Sequence, residues 1–308
     1  MSTMFTALFT YLFIGLLWLL HWLPLPVLGR LGSTLGCLLY YVIGHRRRVV
    51  LRNLELCFPD WPLEQRQTLA KDHFKQFGRS FLERGLLWFA SEARLFKLIQ
   101  VEGLEQLEAA SDQPQIWLCP HFLALDVAGQ VLSRHKKAVS IYSEQKNQVF
   151  DAQLKRARAR FNAPLLVSRN DSIRPVIKAM RQGMPLFLLP DLDLGTRDAV
   201  FVPFFGVPAA TVTTVARLAK MANAKVFPVI GRVLPNYAGY AVKVYPAWED
   251  YPTDDLTADT RRMNAFIEKR VLEMPEQYYW VHKRFKNRPA GEANLYGRAD
   301  QAPPLDPT

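Results

Sequence analysis

The chain has 308 residues, 49% of them hydrophobic, which is enough to fill a sizeable core in one large domain or two small ones. Collagen-like, disordered and disulfide-scaffold proteins are excluded, because Cys37, Cys57 and Cys119 are isolated and form no C-x-x-C pair. Lysine and arginine total 39 against 28 acidic residues, a net charge of +11 that favours anionic lipid, a phosphorylated substrate, nucleic acid or an acidic carrier protein as partner.

The first segment is predicted to attach the protein to a membrane. No charged residue precedes Arg30, and residues 4–23 are almost entirely apolar, long enough at about 1.5 Å per residue to cross a bilayer core. The basic start and cleavage site of a signal peptide are missing, so residues 1–29 are interpreted as an uncleaved anchor that spans the bilayer or lies in its interface. A buried core helix is the alternative. Arginines after the anchor place the remaining chain on the cytoplasmic side.

Residues 30–287 are predicted to form one enzymatic domain with two parts. The first part, residues 30–100, is helical and membrane-proximal. Within it, the apolar residues 31–43 are too short to cross a bilayer alone and are expected along the membrane or against the catalytic body. Aromatic residues recur at helical spacing in residues 63–99, which predicts packing and also suits the roof of an acyl-chain pocket.

The second part, residues 101–287, alternates short apolar runs with amphipathic segments. Strands are predicted at residues 116–119, 139–142, 165–167, 186–189 and 226–230, and helices at 123–133, 148–160, 173–181 and 213–222. This alternation predicts an α/β fold with a mainly parallel sheet flanked by helices. The tail, residues 288–308, is predicted to be disordered.

His121 is the leading candidate for a catalytic base. It follows an apolar run and Pro120, so it is expected at a strand-to-helix corner, where ligands bind in parallel sheets. Asp126, five residues later, is predicted to accept a hydrogen bond from the His121 ring, which would orient the base. A surface histidine beside a carboxylate at a helix start is the alternative. Cys119 is interpreted as a small buried strand residue rather than a nucleophile.

Three further stretches follow predicted strands. Arg169 is a candidate to meet a phosphate or a developing oxyanion. Asp191 and Asp193 are candidate substrate-binding residues, and Gly195 allows the backbone to approach a ligand closely. A D-x-D pair also suits a divalent metal beside a nucleotide sugar, which leaves a glycosyltransferase as an alternative. The apolar run 200–206 is interpreted as a loop that lines a lipid-facing groove.

Residues 275–286 mix aromatic and basic side chains in a way that suits either a membrane interface or a nucleic-acid stacking surface. The apolar first segment favours lipid, so no nucleic-acid partner is expected. The histidines are scattered and show no metal-ligand spacing, so no metal and no other cofactor is expected.

Together these stretches resemble the lipid A biosynthesis late acyltransferases, the lauroyl and myristoyl transferases of Gram-negative bacteria, within the glycerolipid acyltransferase superfamily. The resemblance rests on N-L-E-L-C-F-P (residues 53–59), P-H-F-L-A-L-D (120–126), P-D-L-D-L-G (190–195), V-F-V-P-F-F-G (200–206) and P-E-Q-Y-Y-W-V-H-K-R-F-K (275–286). It implies His121 and Asp126 as the catalytic pair, the latter replacing the Glu of many members. Arg169, Asp191 and residues 227–229 correspond to the second, third and fourth sequence blocks.

The resemblance also implies the substrates and the location. The acyl donor is an acyl carrier protein thioester, the acceptor is a Kdo-bearing, underacylated lipid A precursor, and the enzyme is held at the inner membrane with its active site facing the cytoplasm. The reaction is expected to be direct, with His121 as general base, Asp126 stabilising the imidazolium, and no acyl-enzyme. Alternatives are a lysophospholipid or other glycolipid acceptor, the glycosyltransferase, and a non-catalytic membrane-binding module. The sequence predicts neither acyl length nor acylation position nor oligomeric state.

Overall fold

A seven-stranded sheet organises the protein in the computed structural model, which describes residues 2–297. Its strands are β1 (Ile99–Glu102), β2 (Gln115–Leu118), β3 (Val139–Tyr142), β4 (Leu165–Ser168), β5 (Leu186–Leu188), β8 (Lys225–Val233) and β9 (Tyr240–Val244), and a separate hairpin contains β6 (Ala199–Phe204) and β7 (Val207–Val212). The sheet order is β1-β9-β8-β2-β5-β3-β4, with every pair parallel except β8 with β9. The predicted mainly parallel α/β fold is confirmed.

Helices cover both faces of this sheet. They are α1 (Ser2–Leu20), α2 (Leu25–Val42), α3 (Gly44–Cys57), α4 (Leu63–Leu82), α5 (Arg84–Phe89), α6 (Glu92–Phe96), α7 (Glu105–Ala109), α8 (Leu125–His135), α9 (Gln148–Arg158), α10 (Arg174–Arg181), α11 (Thr214–Ala222) and α12 (Leu256–Glu273). Because side chains alternate along a strand, Ile116 and Leu118 of β2 join the core that also contains residues of α10 to α12. Trp117 points the other way and packs with Phe187 and residues of α8.

The run 200–206, predicted as a loop along a lipid-facing groove, is strand β6 and the two-residue turn that leads to β7. That prediction is wrong, because Phe204 is fully buried and the hairpin packs against α12. Phe205 and Gly206 adopt φ values of 50° and 79°, and a two-residue type I′ hairpin turn requires positive φ at both of these positions. Asn264 of α12 donates to the carbonyl of Pro203 at 3.0 Å, which ties the hairpin to the domain.

Helix α2 lies against α4 through three glycines. A Cβ atom added to Gly32, Gly36 or Gly78 would meet backbone atoms of the opposite helix at 2.6, 2.0 and 2.3 Å, so only glycine permits this approach. Residues 31–43 therefore pack against α4 on one side, while Leu38, Tyr41 and Val42 remain exposed. By length and composition α2 could also cross a membrane, with a mean hydropathy of 1.2, while Phe5–Leu20 of α1 is a shorter apolar stretch.

Helix α1 packs along one side and exposes the other. Leu17 is completely buried, and its carbonyl would lie 2.5 Å from a Cβ atom at Gly85, so α1 touches the start of α5. Phe9 and Leu12 of α1 are 68% and 61% exposed, and Trp22, in the turn after α1, is 66% exposed. The first segment is therefore neither a fully buried core helix nor a helix free of the body.

The predicted boundary of the disordered tail is wrong for its first ten residues. Tyr296 is buried and forms a hydrogen bond with Asn53 of α3, while Arg52 donates to the carbonyl of Leu295 at 2.8 Å. Residues 298–308 lie outside the described residues, as does Met1 of the predicted anchor.

Candidate active site

His121 lies just beyond the carboxyl end of β2 and faces Asp191, which follows β5. Its Nδ1 atom lies 2.7 Å from Asp191 Oδ1, and its backbone N–H donates to Asp191 Oδ2 at 3.0 Å. Strands β2 and β5 are parallel neighbours, so the residues that follow them meet at the same edge of the sheet. The two bonds fix both the backbone and the ring of His121. With Nδ1–H donated to the carboxylate, Nε2 is the ring atom left to accept a proton.

The carboxylate of Asp191 is fully buried. Burial alone would raise its pKa, but the His121 ring, the two hydrogen bonds and the Arg284 guanidinium outweigh burial and hold the pKa below its usual value. Arg284 is itself buried and donates to the Ala210 carbonyl and the Thr211 hydroxyl of β7. Asp191 is therefore an anionic acceptor held rigidly behind the histidine.

Asp126 does not accept the hydrogen bond from His121 that the sequence predicts. Its carboxylate, 37% exposed on the first turn of α8, accepts from Arg84 Nη2 at 2.9 Å. Burial opposes ionisation, but Arg84, Arg158 and, more weakly, His121 lower the pKa of Asp126. The prediction fails because Arg84 enters from α5, an element 42 residues earlier in the chain. Asp126 still lines the same cavity as His121.

The segment that follows α12, residues 275–286, packs against the backbone on both sides of Phe122. Tyr279 N–H donates to the His121 carbonyl at 3.0 Å, and Leu123 N–H donates to the Gln277 carbonyl at 2.8 Å. The Tyr279 ring lies 6.1 Å from the His121 ring. The prediction that residues 275–286 form an interfacial surface is wrong for Tyr278 and Trp280, which are 2% and 1% exposed. These residues of the motif are instead part of the packed wall around His121.

Asp193 faces away from His121. Its carboxylate accepts from the backbone N–H of Asn287 at 2.8 Å and from Gly195 N–H at 3.2 Å, while its own N–H donates to His282 Nε2 at 3.1 Å. The carboxylates of Asp191 and Asp193 thus bind different protein groups and do not face a common space. Gly195, with a φ of 111° and open space around its Cα, is the position in this loop that needs a glycine.

Arg169 is exposed at the same edge of the sheet as His121. It follows β4, three strands from β2, which places it about 14 Å away because neighbouring strands lie about 4.8 Å apart. The structure therefore brings His121, Asp191 and Asp126 together and leaves Arg169 at a distance. The sequence did not identify Arg84 and Tyr279 as residues of this site. Tyr279 could have been found, because it lies in the motif at residues 275–286; Arg84 lies in none of the motifs.

A cavity of about 550 Å³ extends from His121 beneath α8. This volume falls within the range of about 300–1,000 Å³ that is typical of ligand pockets. Phe77 and Phe81 of α4 line it, as expected of a pocket roof, and Leu132 and Ala138 line it near the amino ends of the strands. The wall is mixed, because apolar side chains such as Phe77, Phe81 and Phe187 are accompanied by charged ones, Arg84, Asp126 and Arg158.

Cys119 offers no alternative nucleophile. Its side chain is fully buried, and burial together with the neighbouring Asp191 charge raises the pKa of the thiol. The prediction that Cys119 is buried is confirmed, although it lies one residue beyond the end of β2. The chemistry that this corner supports is proton removal by an oriented histidine, beside a cavity of ligand size.

Comparison with known proteins extends over the same residues. The family model for bacterial lipid A biosynthesis acyltransferases matches residues 2–287. The lipid A biosynthesis lauroyltransferase of Escherichia coli (strain K12) is 35% identical over 290 residues, 93% of this chain and 94% of that protein. The palmitoleoyltransferase of the same organism is 34% identical with the same coverage, and its myristoyltransferase is 33% identical over 90% of this chain and 85% of its own.

Among solved structures, the 1-acyl-sn-glycerophosphate (LPA) acyltransferase PlsC from Thermotoga maritima aligns with 78% of this chain and 96% of its own. The two sequences are 14% identical in this alignment, and the TM-score is 0.37.

Proposed function

This chain belongs to the bacterial lipid A biosynthesis acyltransferase family, and we propose that it transfers a fatty acyl group from an acyl carrier protein thioester to a hydroxyl of a Kdo-bearing, underacylated lipid A precursor. The protein is an acyltransferase of lipid A biosynthesis. The donor, the exact acceptor and the residues that perform the transfer are the proposal. The observation that carries it is the His121–Asp191 pair beside a cavity whose lining is partly apolar.

In the proposed mechanism, His121 Nε2 removes the proton from the acceptor hydroxyl as the oxygen attacks the thioester carbonyl. The tetrahedral intermediate collapses, the C–S bond breaks, and the carrier thiolate takes the proton back from the imidazolium. Asp191 fixes the tautomer and stabilises the imidazolium through Nδ1. No acyl-enzyme is formed, because the acceptor oxygen attacks the thioester directly.

Asp126 keeps a catalytic role in this proposal, but an electrostatic one. Its anionic form adds negative potential near the imidazolium, and its bond to Arg84 holds that guanidinium on the cavity wall. Arg169 is assigned to a charged part of a substrate, away from the reacting atoms. Asp193 and Gly195 shape the loop behind His121, and their contribution to substrate binding is through that loop.

A basic rim supports the acidic carrier protein as donor. We use this name for Lys146, Arg169, Arg174 and Arg197, which are exposed and follow strands β3, β4 and β5; the same loops also carry the exposed acidic residues Glu144, Asp171 and Asp198. Parallel strands bring these loops to the edge that carries His121. A carrier protein docked there places its thioester next to the cavity mouth. Opposite charges at such a rim speed encounter and orient the partner.

The acceptor is a lipid, so the proposal places the enzyme on the inner membrane with the catalytic domain facing the cytoplasm. The exposed apolar side of α1 supports attachment, and Arg46 to Arg48 at the start of α3 support the cytoplasmic orientation. Both the carrier protein and the lipid then reach the same edge of the sheet.

Mass spectrometry of lipid products tests the proposal. Membranes that contain the wild-type protein or His121→Ala are incubated with acyl carrier protein thioesters and a Kdo-bearing tetraacyl precursor. The expected result is one added acyl chain with the wild type alone, since loss of the base removes a factor of about 10² to 10⁴ in rate. Transfer by both proteins would exclude His121 as the base. If no thioester gives transfer to the tetraacyl precursor but a lysophospholipid is acylated, the acceptor is a lysophospholipid and not a lipid A precursor.

A further inference from the structure

Gly129 is a glycine in the interior of α8 that lines the cavity. Glycine weakens a helix interior relative to alanine, because it loses more backbone freedom on folding. Its backbone is helical, and it is absent from the residues with positive φ, so the local conformation does not require a glycine. Another reason must account for the missing side chain.

Close packing is not that reason. At Gly32, Gly36 and Gly78 an added Cβ atom would clash with backbone at 2.0 to 2.6 Å. At Gly129 the nearest atom to an added Cβ is Phe187 Cζ at 3.9 Å, an ordinary van der Waals distance. What the glycine leaves behind is volume inside the cavity.

This volume lies part of the way along the cavity. Asp126, near His121, and Ser133 both line it, and the helix between them rises about 10 Å at about 1.5 Å per residue. Gly129 lies between these two positions. Phe187 faces it from the interior strand β5, in register with Trp117 of β2 and Ser140 of β3. Leu132 and Ala138 line the space beyond. Gly129 and Phe187 lie side by side on the cavity wall at this depth, because a Cβ atom at Gly129 would contact Phe187 Cζ. We call this pair the waist of the cavity.

We propose that the waist formed by Gly129 and Phe187 determines the length of the acyl chain that the enzyme transfers. The inference rests on the proposed function, because it takes the cavity to hold the donor's acyl chain with its thioester at His121. Only a chain long enough to pass the waist gains the apolar contacts beyond it. Each methylene group that cannot be buried beyond the waist is expected to lower kcat/KM by about fourfold, because burying one methylene group stabilises the bound chain by an amount that corresponds to this factor.

Chain-length profiles of the full-length enzyme test the waist. Wild type, Gly129→Ala and Gly129→Leu are assayed with acyl carrier protein thioesters from decanoyl to palmitoyl and the tetraacyl precursor. Gly129→Leu is expected to lower the ratio of kcat/KM for the longest over the shortest accepted chain by at least about tenfold, the effect of roughly two methylene groups. Gly129→Ala shifts the profile in the same direction by less. Its melting temperature is not lowered, because alanine favours the helix.

The reciprocal variant and a matched control complete the design. Phe187→Leu opens the waist and is expected to shift the profile towards longer chains. Gly15→Leu adds the same side chain to an exposed helical glycine of α1 with nothing within 4 Å, outside the cavity, and keeps the wild-type profile. Unchanged profiles for folded Gly129→Leu and Phe187→Leu would overturn the inference. Absence of transfer by the wild type would instead refute the proposed function.

Discussion

Asp191 is the residue that holds the candidate base, because both of its carboxylate oxygens accept from His121. Asp191→Asn is therefore expected to lower kcat by about 10² to 10⁴, since an amide stabilises the imidazolium poorly and permits the wrong tautomer. KM should change little. Asp126→Asn should lower kcat less, because that carboxylate bonds Arg84 instead. Single-turnover transfer with both variants measures the difference. Normal kcat in Asp191→Asn with a large loss in Asp126→Asn would support the original pairing.

Two buried histidines predict how stability depends on pH. Burial lowers the pKa of His73 to about 4, and burial with the nearby Arg284 charge lowers the pKa of His282 to about 4, both from an ordinary 6.5. The unfolded chain therefore binds protons first. The contribution of each histidine to the free energy of unfolding is fully present above about pH 6.5. It decreases by about 3 kcal/mol for each histidine as the pH falls to about 4.

Thermal unfolding in detergent across this pH range tests that prediction. His73→Asn keeps a donor for the Glu276 carbonyl, which the His73 ring contacts at 3.1 Å, and removes one titrating group. The variant should be less stable at neutral pH but should lose less stability on acidification. An equal acid-induced loss in wild type and variant would show that His73 does not contribute to the pH dependence.

The sequence locates the site residues better than it pairs them. Following a strand is a local property, so His121 and Asp191 could be found from apolar runs and Pro120. Their contact depends on β2 lying beside β5, a pairing of strands separated in sequence by three helix-containing connections. The His121–Asp126 bond was expected from nearness in sequence, and Arg84 takes that carboxylate from another element.

Among the secondary-structure elements, the sequence predicts those that are buried and strongly periodic. The runs that became β2, β3, β4, β5 and β8 were found within a few residues. Strand β1 was missed because only Ile99 of its four residues is buried. Strand β9 does alternate, with Tyr240, Val242 and Val244 buried, and that signal was overlooked. Pro203 obscured β6, since proline tolerates only edge positions in a sheet, and β6 pairs with β7 alone.

The basic rim predicts how donor binding responds to charge. Lys146→Glu combined with Arg169→Glu should raise KM for the carrier-bound donor about tenfold or more with little change in kcat, because long-range attraction acts mainly on encounter. KM of the wild type should also rise with salt, and that dependence should weaken in the variant.

Lys225→Glu is the matched control for the rim. Lys225 is exposed but begins β8, at the amino edge of the sheet opposite to His121. Initial rates with an acyl carrier protein thioester at several salt concentrations separate the variants. Equal effects of Lys225→Glu and of the rim variant would attribute the attraction to net charge and not to a docking surface.

At the scale of the whole molecule, hydropathy alone does not tell which helix meets lipid. Helix α2 satisfies the length and composition of a membrane span, yet its glycines pack it against α4. Helix α1 is more apolar and leaves one side uncovered. The difference lies in tertiary contacts made by the glycines of α2, which a hydropathy average does not contain. Attachment is therefore expected through α1.

Phe9→Asp combined with Leu12→Asp tests this attachment on the intact protein. Each exposed apolar side chain gains about 1.5–3 kcal/mol on burial, and an aspartate at the centre of a membrane helix costs about 2.5–3.5 kcal/mol, so binding to vesicles should fall by more than a hundredfold. Leu272→Asp is the control, because Leu272 is 58% exposed at the end of α12, against 61% for Leu12. Flotation with anionic vesicles should carry wild type and Leu272→Asp upward and leave the double variant behind. If the double variant also floats, α1 is not the attachment site, and the exposed Tyr41 and Val42 at the end of α2 become the lipid-binding surface.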